Sequence, residues 1–148
     1  MSFMKIALLS SFNADLLSRW LARFLQEESH LQTTFYVSGY GQYQQAILDP
    51  ESEFYRSQPE IVILLLDCQD VYSDLIQQPL DYPLELRRAR VERELESLWH
   101  AIDLIGKRLP DSILLLNTLV APLSPPSAFS NITPFTLYVV LSLNIMPD

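Results

Sequence analysis

Apolar residues in this chain gather in short, dense runs, and each run stops at a cluster of small polar residues. The runs are Ile6 to Leu9, Thr33 to Val37, Ile61 to Leu66 and Ile113 to Leu116. They stop at Ser10-Ser11-Phe12-Asn13, Ser38-Gly39-Tyr40-Gly41-Gln42, Asp67-Cys68-Gln69-Asp70 and Asn117-Thr118. Continuous apolar runs of this length, rich in β-branched and aliphatic residues, predict strands buried on both faces. The opening run carries Lys5 and has neither the apolar core length nor the cleavage site of a signal peptide, so Met1 to Leu9 reads as the first strand.

Between the runs the period changes to that of a helix. Leu17, Trp20, Leu21, Phe24 and Leu25 recur at three- and four-residue spacing, which predicts a helix with one apolar face turned to the sheet. Asn13 stands as its N-cap, Asp15 lies in the first turn where the helix dipole favours an acid, and the helix ends near Glu28. Gln42 to Leu48 predicts a short helix stopped by Asp49-Pro50, and residues 51 to 59 a polar connection ending in Pro59. Tyr72 to Pro83, with two prolines, reads as an irregular connector. Val91, Leu95, Leu98, Ile102, Ile105 and Leu109 then mark a long sheet-covering helix, with the alternating Arg and Glu residues from Arg87 to Glu96 as its solvated face.

Strands alternating with helices predict an α/β fold with a doubly wound parallel sheet, and such sheets bind ligands at the carboxyl ends of their strands. The four polar clusters therefore converge on one site. The last third breaks the pattern. Ala121 to Pro126 cannot be regular structure, and from Ser112 to Pro147 there is no charged residue. Phe135 to Leu143 is too short to span a membrane as a helix and predicts a fifth strand, an edge through which a second copy could pair. Residues 1–148 read as a single domain whose uncharged 119–148 tail suggests completion by a further segment.

Composition bounds the partners. The chain has 148 residues, 49% apolar and 19% charged, enough for one domain with a substantial core. A formal net charge of -8 argues against nucleic acid and anionic membranes and leaves small molecules and proteins. One cysteine, Cys68, allows no internal disulfide and points to a reducing cytoplasm. His30 and His100 give no metal-ligand spacing, so neither metal nor cofactor is expected.

A family resemblance rests on Lys5 to Leu17, Gly41-Gln42-Tyr43, Ile47 to Tyr55, Pro59 to Leu64 and Leu116 to Pro122. Together, over roughly residues 4 to 124, these segments resemble the N-terminal domain of FkbH-like proteins. The resemblance implies a fold similar to the SGNH hydrolases, a flavodoxin-like three-layer α/β/α sandwich. In that family the domain precedes a HAD-type phosphatase-like domain, and the proteins convert 1,3-bisphosphoglycerate into a glyceryl thioester passed to an acyl carrier protein in polyketide assembly. Nothing in this chain corresponds to the HAD domain.

The hydrolase carry-over is partial. Ser11, with Ser10 beside it, stands near the position of the nucleophile but lacks the preceding Gly-Asp. Gly41 matches the glycine of the second block, and Gln69 sits where the family's asparagine would act as oxyanion donor. No histidine takes the place of the catalytic base, since His30 lies at the end of the first helix and His100 inside the long one. Each candidate also has a plainer reading. Ser10 and Ser11 can simply end a strand, Gly39 and Gly41 serve a turn, Asp67 and Asp70 cap the next segment, and Asn117 satisfies nearby backbone. Cys68 is either a small core residue, its thiolate suppressed by the adjacent acids, or an acyl carrier.

The expected function is therefore a non-hydrolytic recognition or accessory domain of an FkbH-like glyceryl-transfer system. Its partners would be an acyl carrier protein, a HAD-type domain or both, and its site Ser10, Asn13, Gly41, Gln42, Asp67, Gln69, Asp70 and Asn117 around a small acyl ligand. A serine acyltransferase or esterase using Ser11, and an interaction module without a ligand, are the alternatives.

Overall fold

Four parallel strands carry the fold, in the order set by a chain that winds first to one side of its first strand and then to the other. The computed structural model describes residues 3–77, 82–117 and 140–141. Along the chain run β1 (Phe3–Ser10), α1 (Asp15–Ser29), β2 (Gln32–Val37), α2 (Tyr43–Leu48), α3 (Glu53–Arg56) and β3 (Ile61–Leu65). There follow α4 (Cys68–Val71), α5 (Ser73–Gln77), α6 (Leu84–Arg108), β4 (Ile113–Leu116) and β5 (Val140–Leu141). The sheet order is β2-β1-β3-β4-β5. β1 to β4 are mutually parallel, and the chain reverses direction of winding between β1 and β3, the switch point at which open α/β sheets form a crevice.

Alternation along the strands divides the apolar side chains between two layers. Ala7, Leu9, Val62, Leu64 and Leu114 face a core completed by Ile47 of α2, Phe54 of α3 and Ile102 and Ile105 of α6. Ile6 and Leu8 are buried on the opposite face, which the right-handed crossover from β1 to β2 covers with α1. The result is an α/β fold of the flavodoxin-like, three-layer kind. A smaller cluster of Cys68, Tyr72 and Leu75 packs α4 and α5 against Val91 of α6.

β1 starts at Phe3, in keeping with Met1 to Leu9 read as the first strand, and Phe3, Met4 and Lys5 pair with β2 through their backbones. The structure corrects several readings of the pattern. Trp20 and Phe24 do not face the sheet. α1 turns Ser18 inward, below the buried Ala14 at its N-cap, with Leu17, Leu21 and Leu25 half-buried at their sides. Trp20 and Phe24 lie one stripe round, exposed and stacked on each other at 5.2 Å between ring centroids.

The segment 51–59 is not merely a connection. One helical turn, α3, drives Phe54 and Tyr55 into the core, where Tyr55 Oη donates to the Ile47 carbonyl at 2.7 Å. The connector after β3 holds α4 and α5, whose four- and five-residue lengths leave no helical periodicity to read. The charged face of α6 is not wholly solvated either. Arg90 bridges Asp74 of α5 at 3.1 Å and Glu94 one turn along, and Arg87 Nε donates to the Tyr82 carbonyl at 2.6 Å.

The fifth strand exists as Val140–Leu141, paired antiparallel with Leu115 and Leu114, so the sheet is parallel only as far as β4. The rest of the Phe135 to Leu143 run, Thr118, the Ala121 to Pro126 segment and most of the 119–148 tail lie outside the described residues. Among the described residues, no helix is long and apolar enough to cross a membrane.

Candidate functional site

The strand ends are built by side chains that carry the backbone pairing of the sheet a step further. Ser11 extends β1, its N–H donating to the Leu65 carbonyl at 3.0 Å. Its hydroxyl accepts the Asp67 N–H at 2.8 Å and donates to Asp70 Oδ2 at 3.1 Å. One side chain thus ties the end of β1 to the start of α4. Asp67 caps that helix by accepting the Gln69 N–H on Oδ1 at 2.8 Å.

Ser10 is fully buried, and its hydroxyl donates to the Phe12 carbonyl at 2.6 Å while its N–H donates to Ser38 Oγ at 3.2 Å. Asn13 accepts the Asp15 N–H at 3.0 Å, so it serves the start of α1 although Ala14 holds the N-cap position itself. Asn117 prolongs β4. Its carboxamide accepts the Leu66 N–H at 2.7 Å and donates to the Leu66 carbonyl at 2.9 Å, as a strand residue would.

The turn between β2 and α2 needs a glycine at one position. Gly41 has φ +65°, in the left-handed region, and open space where a Cβ would be. Gln42 folds its side chain back over Gly39, where a Cβ would stand 2.6 Å from Oε1, and its carbonyl accepts the Ala46 N–H to open α2.

A cleft of about 530 Å³ opens between this turn, the end of β1 and α4 to α6. Of the nine residues singled out from the sequence, Ser11, Gly41, Gln69 and Asp70 line it. Ser10, Asn13, Gln42, Asp67 and Asn117 do not line it. The sequence reading missed Tyr40, Tyr43, Gln44, Ser73, Gln77 and Glu94, all on its wall. Glu94 had left a sign, since it falls on the apolar stripe of α6 between Val91 and Leu98, where a solvated acid has no place.

The cleft shares Tyr43, Gln44, Val71 and Glu94 with a tighter, mainly apolar cavity of about 70 Å³ between α2 and α6. Burial raises the Tyr43 phenol above its ordinary value and pushes the Tyr72 phenol up to about 12, so both are neutral hydrogen-bonding groups at neutral pH.

Neither histidine stands at Ser11. His30 closes α1 in the left-handed conformation and is exposed, and His100 lines the smaller cavity on α6. Cys68 is buried, and its thiol is held above its usual range first by burial and then by the Asp67 charge. Among the described residues no group of three or more His, Cys, Asp or Glu side chains is placed to hold a metal ion.

No protein-family model matches the sequence, and no curated protein does. Among solved structures, the fold is similar to that of the N-terminal part of BF1531 from Bacteroides fragilis, described as containing a phosphatase domain and complexed with Mg. The TM-score is 0.61 at 16% identity, over 84% of this chain and 30% of that one. At that identity the likeness is one of fold, and the present chain spans less than a third of its neighbour's length.

Proposed function

We propose that this domain recognises a small acyl group, or the carrier arm that bears it, at the strand-end cleft without hydrolysing it, as an accessory domain of an FkbH-like glyceryl-transfer system. Its partners on this reading are an acyl carrier protein and a HAD-type phosphatase-like domain. The resemblance of the sequence and the likeness of fold to a much longer phosphatase-containing protein support that setting.

The observation that carries the non-hydrolytic reading is the state of the Ser11 hydroxyl. A nucleophilic serine needs an accessible oxygen and a base to take its proton. Ser11 is buried, spends its proton on Asp70 and a lone pair on the Asp67 N–H, and has no imidazole beside it. Its hydrogen bonds hold two elements together, and the cleft they shape offers amides, phenols and hydroxyls for binding.

Two measurements test the proposal. Exposure to a fluorophosphonate probe should leave the intact mass unchanged, whereas an adduct lost in Ser11→Ala would install the esterase or acyltransferase reading instead. Titration with the N-acetylcysteamine thioester of glyceric acid, followed by two-dimensional NMR, should shift the Gly41, Gln69 and Asp70 amides. Absence of any shift would leave the cleft without an acyl ligand and the proposal without its site.

A further inference from the structure

The cleft that the proposed function takes as the binding site has an unusual balance of charge on its wall. Asp70 and Glu94 supply two carboxylates, and among the described residues that line it there is no lysine, arginine or histidine. One of those carboxylates is paired, because Arg90, which does not line the cleft, binds Glu94 as well as Asp74. Arg90 gives Nε to Asp74 at 3.1 Å and one amino group to Glu94, and reaches the Val71 carbonyl with the other at 3.5 Å.

The remaining wall is neutral and rich in hydrogen-bonding capacity. Gln44, Gln69 and Gln77 present amides that donate and accept, Ser73 a hydroxyl, and Tyr43 a phenol that burial keeps protonated. Tyr40, a residue 69% exposed, lines the cleft and offers an aromatic surface to a ligand. Carboxylates and amides match hydroxyl groups, each hydroxyl being at once a donor and an acceptor, and an aromatic face matches the C–H side of a polyol. A phosphate has only acceptors at its charged oxygens, which carboxylates repel, and among the described residues on this wall there is no guanidinium or ammonium group to hold it.

We infer that the cleft selects an uncharged, polyhydroxylated ligand and turns phosphorylated ones away. The inference deepens the proposed function and rests on it for the location of the site. It places the domain after the loss of phosphate in any reaction sequence it joins: the group it holds has been dephosphorylated or never carried a phosphate.

The test is a two-dimensional NMR titration of the whole chain with two probes of one skeleton, glyceramide and 3-phosphoglycerate, each taken to saturation. Glyceramide should shift the Tyr40, Gly41 and Gln69 amides, and 3-phosphoglycerate should bind at least tenfold more weakly. Asp70→Asn and Glu94→Gln should narrow that gap, the first while keeping an acceptor for the Ser11 hydroxyl, the second while leaving Ser11 untouched. Equal or tighter binding of 3-phosphoglycerate would overturn the inference, as would a gap that both variants leave unchanged. Those two results would still leave the cleft as a ligand site. If neither probe binds while the glyceryl thioester does, the polyol assignment falls and the acyl reading stands; if the thioester fails too, both fall.

Discussion

The carboxamide of Asn117 pairs with the backbone of Leu66 in both directions, accepting its N–H at 2.7 Å and donating to its carbonyl at 2.9 Å. Leu66 lies one residue beyond β3 and Asn117 one beyond β4, so a side chain continues the ladder where the strands part. The position of Asp67, and with it the start of α4, follows from this closure. Backbone and carboxamide share the same donor and acceptor geometry, which is why an asparagine suits the place.

Asn117→Asp should therefore destabilise the fold more than a surface change of one atom would. The new carboxylate keeps an acceptor for the Leu66 N–H but sets a negative oxygen against the Leu66 carbonyl in place of a donor. Losing that bond in a half-buried place costs about 1–3 kcal/mol. Urea denaturation should show a lower midpoint with an unchanged slope, and an unshifted midpoint would mean that the pairing contributes nothing to stability.

Ser11→Ala should act on stability and on the placement of α4. It strips the Asp67 N–H of its acceptor and Asp70 of a donor in one step, at a cost of about 1 kcal/mol for a part-buried hydrogen bond lost. Ser11→Thr keeps the hydroxyl and should recover most of the loss if the methyl finds room. Hydrogen exchange of the Asp67 and Gln69 amides measures the effect locally. Unchanged exchange in the alanine variant would show that the hydroxyl does not hold the helix.

Most of the architecture was legible because a doubly buried strand writes itself as a continuous apolar run, and a long helix such as α6 as a period. Ile61 to Leu66 predicted β3 to within a residue. The fold signal fails where an element is too short to repeat. α3, α4 and α5 have no second turn to establish a period, and Phe54 and Tyr55 read as apolar accidents in a polar stretch. The face of α1 was misread because Ser18, polar by type, is buried by its smallness, while the larger Trp20 is exposed. At the site, strand-end polar residues were found easily, since they interrupt apolar runs. Tyr43, Gln44, Ser73 and Gln77 sit in helices among residues like themselves, and only the tertiary fold selects them.

Tyr55 and Arg108 converge on one acceptor, and their substitutions should not add. Tyr55 Oη donates to the Ile47 carbonyl at 2.7 Å, Arg108 to the same oxygen at 3.0 Å, and the guanidinium lies 5.0 Å from the Tyr55 ring centroid. Tyr55→Phe alone leaves the carbonyl with the arginine, and Arg108→Met alone leaves it with the phenol. Each single change should cost about 1 kcal/mol or less, and the pair should cost more than the sum because the carbonyl then has neither donor. A double-mutant cycle from denaturation midpoints checks this, and simple additivity would show the two contacts to be independent.

Cys68 should resist alkylation in the native protein. Burial, reinforced by the Asp67 charge, holds its thiol above the ordinary value, so at pH 8 the folded chain presents less thiolate than a free cysteine as well as less access to it. Iodoacetamide labelling should lag far behind that of glutathione and catch up only when urea opens the α4–α5 region. Labelling at the free-thiol rate in buffer would mean that this region is already open.

Tyr72 sets the direction of the alkaline limb of stability. Its phenol is pushed from 10.0 up to about 12, chiefly by burial and then by the Glu94 charge. An acid whose folded pKa lies above its unfolded one favours the folded chain only as protonation is worth more there: below pH 10 both states are protonated and the group is neutral in the balance. As pH rises from 10 toward 12, the unfolded chain loses this proton while the folded chain keeps it, and mass action draws the protein toward unfolding, by on the order of 2 kcal/mol by pH 12. Tyr36, Tyr43 and Tyr55 are shifted the same way and steepen the fall. Far-UV circular dichroism and tyrosinate absorbance should therefore change together above pH 10, with ionisation of the buried phenols accompanying unfolding. Tyr72→Phe, which has no proton to lose, should flatten that fall in stability relative to its own value at pH 8. An equal slope in the variant would place the alkaline sensitivity in the other phenols.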